Sequence, residues 1–216
     1  MQSLSSDRFA AAVLLAAVAG SVDAVGFAEL GGHFVSFMSG NTTRLGLHLA
    51  GHEGPIALYT FGLVALFVGG AAAGALIAER AGRCATAAIL LVQALLLAAA
   101  AILLDRGGRP LLGAVLLPPA MGLANALLLA DVGPRGRLGS VTGLLARIGI
   151  ALATLGKGGG ARAALVDLVL WLALVAGVVL GAAGRVRFGG FVLFAPAGVL
   201  VAMAMAEALV LRRKVA

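Results

Sequence analysis

Gly20-Ser21-Val22-Asp23-Ala24, leading to Ser39-Gly40-Asn41-Thr42-Thr43-Arg44-Leu45-Gly46, is answered later by Gly122-Leu123-Ala124-Asn125-Ala126, leading to Thr142-Gly143-Leu144-Leu145-Ala146-Arg147-Ile148-Gly149. Gly20, Asp23 and Ala24 match Gly122, Asn125 and Ala126 at an offset of 102. Ser39, Gly40, Arg44 and Gly46 match Thr142, Gly143, Arg147 and Gly149 at 103, so one inserted residue reconciles the two copies. Each copy sets polar and charged groups inside otherwise apolar sequence. In a membrane chain, paired interruptions of this kind point to the place where the protein works.

The surrounding composition identifies the solvent. With 62% hydrophobic residues, 12% charged residues and a mean hydropathy of +1.10, the chain reads as an integral membrane protein. Eight apolar stretches run over 9–30, 34–50, 56–78, 84–104, 110–130, 138–155, 164–183 and 190–211. Six are long enough for a helical crossing, which takes about 20 residues. The second and sixth hold the repeated motif, carry Ser, Asn, Thr or Arg in their middles, and are short enough to be re-entrant or broken helices. Ala, Leu and Val run without a period of two, which makes a barrel a poor alternative. The expected fold is therefore an all-α polytopic membrane protein forming one transmembrane domain, with repeats over about 8–104 and 110–212.

The net charge of +7 sits between apolar spans and not in a patch interleaved with aromatics, so it speaks of topology and excludes a nucleic-acid partner. If 34–50 and 138–155 do not cross, a chain starting inside places Arg8, Arg80, Arg83, Arg135, Arg137, Lys157, Arg162, Arg212, Arg213 and Lys214 in the cytoplasm. Arg106, Arg109, Arg185 and Arg187 fall outside, a 10 to 4 division, whereas eight crossings divide the same residues 8 to 6. The positive-inside rule favours six crossings with both termini cytoplasmic. Three crossings per half also means that the halves enter the membrane in opposite senses, an inverted repeat. Ala17-Val18-Ala19-Gly20 resembles a signal-peptide cleavage site, but Asp23 then becomes terminal while its counterpart Asn125 lies mid-chain, so the first helix is expected to be retained.

Gly20-Ser21-Val22-Asp23-Ala24-Val25-Gly26-Phe27, then Leu30-Gly31, then Phe34-Val35-Ser36-Phe37-Met38-Ser39-Gly40-Asn41-Thr42 resemble the signature of the YoaK family of bacterial inner-membrane proteins. Met121-Gly122-Leu123-Ala124-Asn125-Ala126 and Val141-Thr142-Gly143 carry the resemblance through the second half. The family is a domain of unknown function loosely described as permeases, so the resemblance implies membrane location and leaves substrate and mechanism open. The chain departs from the family pattern at Leu123-Ala124, in place of a glutamine-bearing step, and at Leu144, where the first half has Asn41.

A charge at bilayer depth costs several kcal/mol unless it is paired or faces water, which singles out Asp23, Arg44 and Arg147. Glycines around them permit unwinding or close helix approach, and a broken helix presents unpaired amides at one end. The sharpest expectation is a midplane site in which Arg44 and Arg147 bind a small polar or anionic solute or ion. Ser39, Asn41, Thr42, Thr43, Asn125 and Thr142 supply neutral hydrogen bonds, and Asp23 is the coupling group because Asn125 cannot titrate. The structural alternatives are that Asp23 and Arg44 neutralise each other, that Asn41 and Thr42 cap a short helix, and that Arg147 snorkels to an interface.

His48 and His52 beside Glu53 have helical spacing but no further ligand, so no metal or other cofactor is expected. Glu29 and His33 either extend the polar path from Asp23 or sit at the surface. Asn41-Thr42-Thr43 is a sequon buried in apolar sequence, and lone Cys84 reads as packing. Gly70-Ala71-Ala72-Ala73-Gly74 and Gly177-Val178-Val179-Leu180-Gly181 occupy matching places and provide small-residue faces, for packing the halves together or for a homodimer. Gly158-Gly159-Gly160 reads as a connector, Gln93 as an interhelical hydrogen-bonding group, and Glu207 as interfacial. Pro118, Pro119 and Pro196 are expected to break helices at depth. A transporter or channel is favoured over a structural or assembly subunit, and over an enzyme, because no nucleophile elbow or paired acids occur and Asp23 is read as the one acid at membrane depth.

Overall fold

The computed structural model describes residues 6–105, 110–130, 140–154 and 161–213. The described residues are helical throughout, joined by turns. In chain order they form α1 (Ser6–Glu29), α2 (Met38–Ala50), α3 (Gly54–Ala81), α4 (Ala85–Asp105), α5 (Pro110–Ala114), α6 (Leu117–Ala130), α7 (Val141–Thr154), α8 (Ala161–Phe188) and α9 (Phe194–Arg213). Arg106, Arg109, Arg135, Arg137, Lys157, Lys214 and Gly158-Gly159-Gly160, used above for topology and linkage, lie outside the described residues.

Four helical stretches are long and apolar enough to cross a membrane: Asp7–Glu29, Gly54–Asp105, Pro110–Leu128 and Ala161–Arg212. Two of them are 52 residues long. At 1.5 Å per residue a straight helix of that length extends about 78 Å, over twice the roughly 30 Å hydrocarbon core. Neither is straight, because Gly82 (φ +50) and Gly189 (φ +58) take left-handed conformations that L side chains rarely adopt. Each opens a turn of 3-10 helix, at Gly82–Cys84 and Gly189–Leu193, and the first lets α4 fold back against α3.

By contrast α2 and α7, at 13 and 14 residues, are about 20 Å long and too short to cross. His33 stacks obliquely 6.4 Å from His48, and the Arg44 guanidinium lies beside Gly32. The connector that leaves α1 is therefore met again by the far half of α2, so loop and helix run back alongside one another.

α1 packs along α8, α3 along α6, and α4 against α9, while α2 lies on α3 and α7 on α8. The first two contacts are close because glycines meet backbone. A Cβ at Gly177 stands 2.1 Å from the Ala17 carbonyl oxygen, and one at Gly70 stands 2.2 Å from that of Pro119. Gly20 and Gly122 reciprocate against Leu174 and Phe67. The small-residue faces thus join the first half of the chain to the second, leaving bulkier side chains outward. Leu58, Leu95, Leu172 and Leu180 are all at least half exposed, an apolar exterior around a partly polar interior that marks a membrane protein.

The prolines act differently from expectation. Pro118 and Pro119 lie in the first turn of α6, and Pro196 in the first turn of α9, where no intrahelical N–H bond is lost. The helix break before α6 falls at Val115–Leu116, just upstream of the proline pair.

Candidate functional site

A cavity of about 350 Å³ lies where α1, α3, α6 and α8 surround the N-terminal ends of α2 and α7. Its wall draws matching positions from both halves: Ala19 and Met121 at an offset of 102, Met38 with Val141 and Ser39 with Thr142 at 103, and Phe67 with Leu174 at 107. The polar lining is Ser36, Ser39, Asn125, Ser140 and Thr142. No charged side chain lines it among the described residues. Each helix N-terminus carries unpaired amides and a partial positive charge, and α2 and α7 direct two of them at one space. Ser140 accepts the Gly143 N–H at 3.0 Å and so caps α7, whereas no side chain caps α2.

Of the residues expected at the site, Ser39, Asn125 and Thr142 reach the cavity, and the others do not line it. Thr42 and Thr43 are exposed, with hydroxyls donating to the Met38 and Ser39 carbonyls one turn back. Asn41, 0% exposed, neither caps nor lines: its amide nitrogen donates to the Phe34 carbonyl at 2.7 Å and its oxygen accepts the Phe34 N–H at 3.0 Å, clasping the connector. Asn125 donates to the Met121 carbonyl at 3.2 Å.

The two arginines part ways. The proposed neutralisation of Asp23 by Arg44 does not occur. Asp23 Oδ1 accepts the backbone N–H groups of Val35 and Ser36, both at 2.9 Å, while Arg44 turns to Gly32. Backbone amides are the nearer donors because the connector folds back alongside α1. Arg147 does not simply snorkel: its Nε donates to Asp167 Oδ2 at 2.9 Å. Asp167, 1% exposed, corrects the reading of Asp23 as the one acid at depth. It lies within the first two turns of α8 and inside the apolar stretch 164–183. The signal lay in the repeat, since the 107 offset that relates Gly70 to Gly177 pairs Asp167 with Thr60.

Thr60 carries the corresponding contact in the first half. Its hydroxyl is shared between the Ile56 carbonyl at 2.8 Å and His33 Nε2 at 2.9 Å, and His33 Nδ1 meets the Leu30 carbonyl at 2.8 Å. Burial holds the His33 ring below its ordinary value against the opposing hydrogen bond to Leu30, with Arg44 and His48 pushing it down as well. Glu29 accepts from Arg185 Nε at 2.8 Å and ties the end of α1 to α8. His48 and Glu53 pair at 2.5 Å, and no group of three potential metal ligands occurs among the described residues. Gln93 is buried and meets Met121 Sδ at 3.8 Å, the interhelical role expected of it.

Long apolar helices joined by close glycine contacts, enclosing a polar-lined space between two short interrupted segments, define an all-helical membrane protein. The chain matches the family described as protein of unknown function (DUF1275) over residues 11–206 and belongs to that family, the one its two motifs resemble. No curated protein and no solved structure matches the chain.

Proposed function

We propose that the chain is a permease of the bacterial inner membrane for a small polar or anionic solute, built as two inverted repeats of three crossings. The cavity between the two halves is its solute site. The observation that carries this reading is the wall shared by matching residues of both halves, with one short helix from each half directed into it. Reciprocal packing supports the repeat: α1 on α8 has its counterpart in α6 on α3, and Gly82 in Gly189. Six crossings follow if each 52-residue stretch is two crossings and neither α2 nor α7 is one, which agrees with the 10 to 4 charge division and cytoplasmic termini.

Hydroxyls, an amide and two helix N-termini favour a neutral hydrogen-bond acceptor or a small monoanion over a cation. In this reading Ser39, Asn125 and Thr142 touch the solute. Asn41 shapes the wall by holding the connector, Arg147 fixes α7 to α8, and Thr42, Thr43 and Arg44 stand away from the solute. The solute passes unaltered, so no enzymatic group or cofactor is required, and the partners are the bilayer and the solute. The small-residue faces open to a homodimer are filled within the chain, and the reading needs no second copy.

Proteoliposome flux measured over a panel of small neutral solutes and monoanions tests it. At least one solute is expected to enter saturably. Ala19→Phe, which fills the cavity, is expected to abolish that flux with helicity and melting temperature retained, and Thr142→Val to reduce it. Flux that is indifferent to both substitutions overturns the site, and absence of flux for the whole panel overturns the reading.

A further inference from the structure

We propose that Asp23 is a proton-operated latch on the connector between α1 and α2, coupling proton binding to movement of one wall of the cavity. The role given to that wall rests on the permease reading, but the latch itself does not.

Asp23 is 4% exposed in α1, and no cationic side chain pairs with it among the described residues. Its charge is balanced by the connector's own amides, Val35 and Ser36, both held by Oδ1. A proton can be taken at Oδ2 without displacing either bond. Ser36 donates its N–H to Asp23 and also lines the cavity, which brings the carboxylate to within one residue of the cavity wall.

The other attachments of the connector are of different kinds. Phe34 is clasped by the neutral Asn41 through both its N–H and its carbonyl, and His33 is fixed to Thr60. Only the hold on residues 35 and 36 depends on a carboxylate charge. Immediately beyond it Ser36, Phe37, Met38 and Ser39 form one side of the cavity. Hydrogen bonds to a charged acceptor are roughly twice as strong as neutral ones. Proton uptake therefore loosens Val35 and Ser36 and releases the wall, and proton loss fastens it again. Asn125 stands at the matching position of the second half and cannot titrate, so the latch is one-sided.

The ionisable groups on the neighbouring elements are otherwise engaged or turned away. Glu29 pairs with Arg185 of α8, Arg147 of α7 with Asp167 of α8, and His48 of α2 with Glu53. Asp105 of α4 accepts the Phe191 N–H, Arg44 of α2 lies at Gly32, and Glu207 lies on α9. Tyr59 of α3 packs edge-on against His33, the titratable group on the connector itself.

Amide hydrogen exchange at Val35 and Ser36 in the detergent-purified full chain, followed from pH 4 to 9 and corrected for the intrinsic pH dependence of exchange, tests the latch. Protection at both amides is expected to fall about tenfold through a single-proton transition as pH drops, the size expected from halving two such bonds. Asp23→Asn is expected to hold them weakly at every pH, and His33→Gln to keep the transition. A flat profile in the unsubstituted chain overturns the proposal even if Asp23→Asn fails to fold. So does a transition that survives Asp23→Asn or disappears in His33→Gln. Titration of the latch without solute flux defeats only the permease reading, and pH-independent protection with saturable flux defeats only the latch.

Discussion

At the scale of single residues, the sharpest contrast lies between two arginines that the sequence makes equivalent. Arg147 reaches Asp167, while the Arg44 guanidinium lies beside Gly32 and makes no ion pair among the described residues. The pair is asymmetric in burial: the Asp167 side chain is 2% exposed and that of Arg147 is 38%. Losing the arginine strands a buried carboxylate without its guanidinium, whereas losing the aspartate leaves an arginine that can reach solvent. Arg147→Ala is therefore expected to lower the melting temperature more than Asp167→Ala does. Combining Arg147→Met with Asp167→Leu is expected to recover most of the loss, read as melting temperature in detergent. Equal losses from the two single changes contradict this account of the pair. Asp23 makes the same point from the other side: that it stands apart from the apolar sequence was legible, but its partner was not. Which donor meets a buried acid depends on how the chain between them folds back, and a sequence pattern carries no such information.

At the scale of elements, the helices themselves were legible almost to their ends, because an apolar run bounded by Gly, Pro and charge leaves few other options in a membrane. The interruptions at 34–50 and 138–155 were legible as short, and α2 and α7 are short. What the pattern could not give was direction, since a segment of 13 residues reads the same whether it dips in as a helix or returns as one. The cavity wall was half visible for the same reason: Ser39, Asn125 and Thr142 lie in the repeated motif, while Ser36 and Ser140 sit in the approach to the helices and carry no periodic signal. Packing between elements yields a test. The Cβ added by Gly177→Ala meets the Ala17 backbone, and that added by Gly70→Ala meets the Pro119 backbone, neither of which can yield as a side-chain tip does. Each change is expected to destabilise by about 1–3 kcal/mol or more. Gly198→Ala in α9 meets nothing within 4 Å and is expected to be neutral or slightly stabilising through helix propensity. Similar melting temperatures for all three variants are inconsistent with glycine-mediated joining of the halves.

At the scale of the whole molecule, everything proposed for the cavity depends on how many times the chain crosses, and one native residue reports on it. Cys84 is exposed in the 3-10 turn between α3 and α4, and it is the one cysteine of the chain. With six crossings and the N-terminus inside, that turn is cytoplasmic and the bend at His52, between α2 and α3, is external. With eight crossings the two exchange sides, because α2 then carries the chain across before α3 begins. The glycine turn at Gly189 and the tail at Arg212 keep the same sides in both topologies and serve as controls. In intact cells or right-side-out vesicles, a membrane-impermeant thiol reagent is expected to spare Cys84 and to label His52→Cys in a Cys84→Ser background. A permeant reagent is expected to label both. The physical ground for the expectation is length: α2, at about 20 Å, cannot span a core of roughly 30 Å, and His33 lies against His48 at the end where α2 returns. Labelling of Cys84 from outside together with protection of residue 52 reverses the order of sides, makes α2 a crossing element, and removes the shared wall on which the solute site is built.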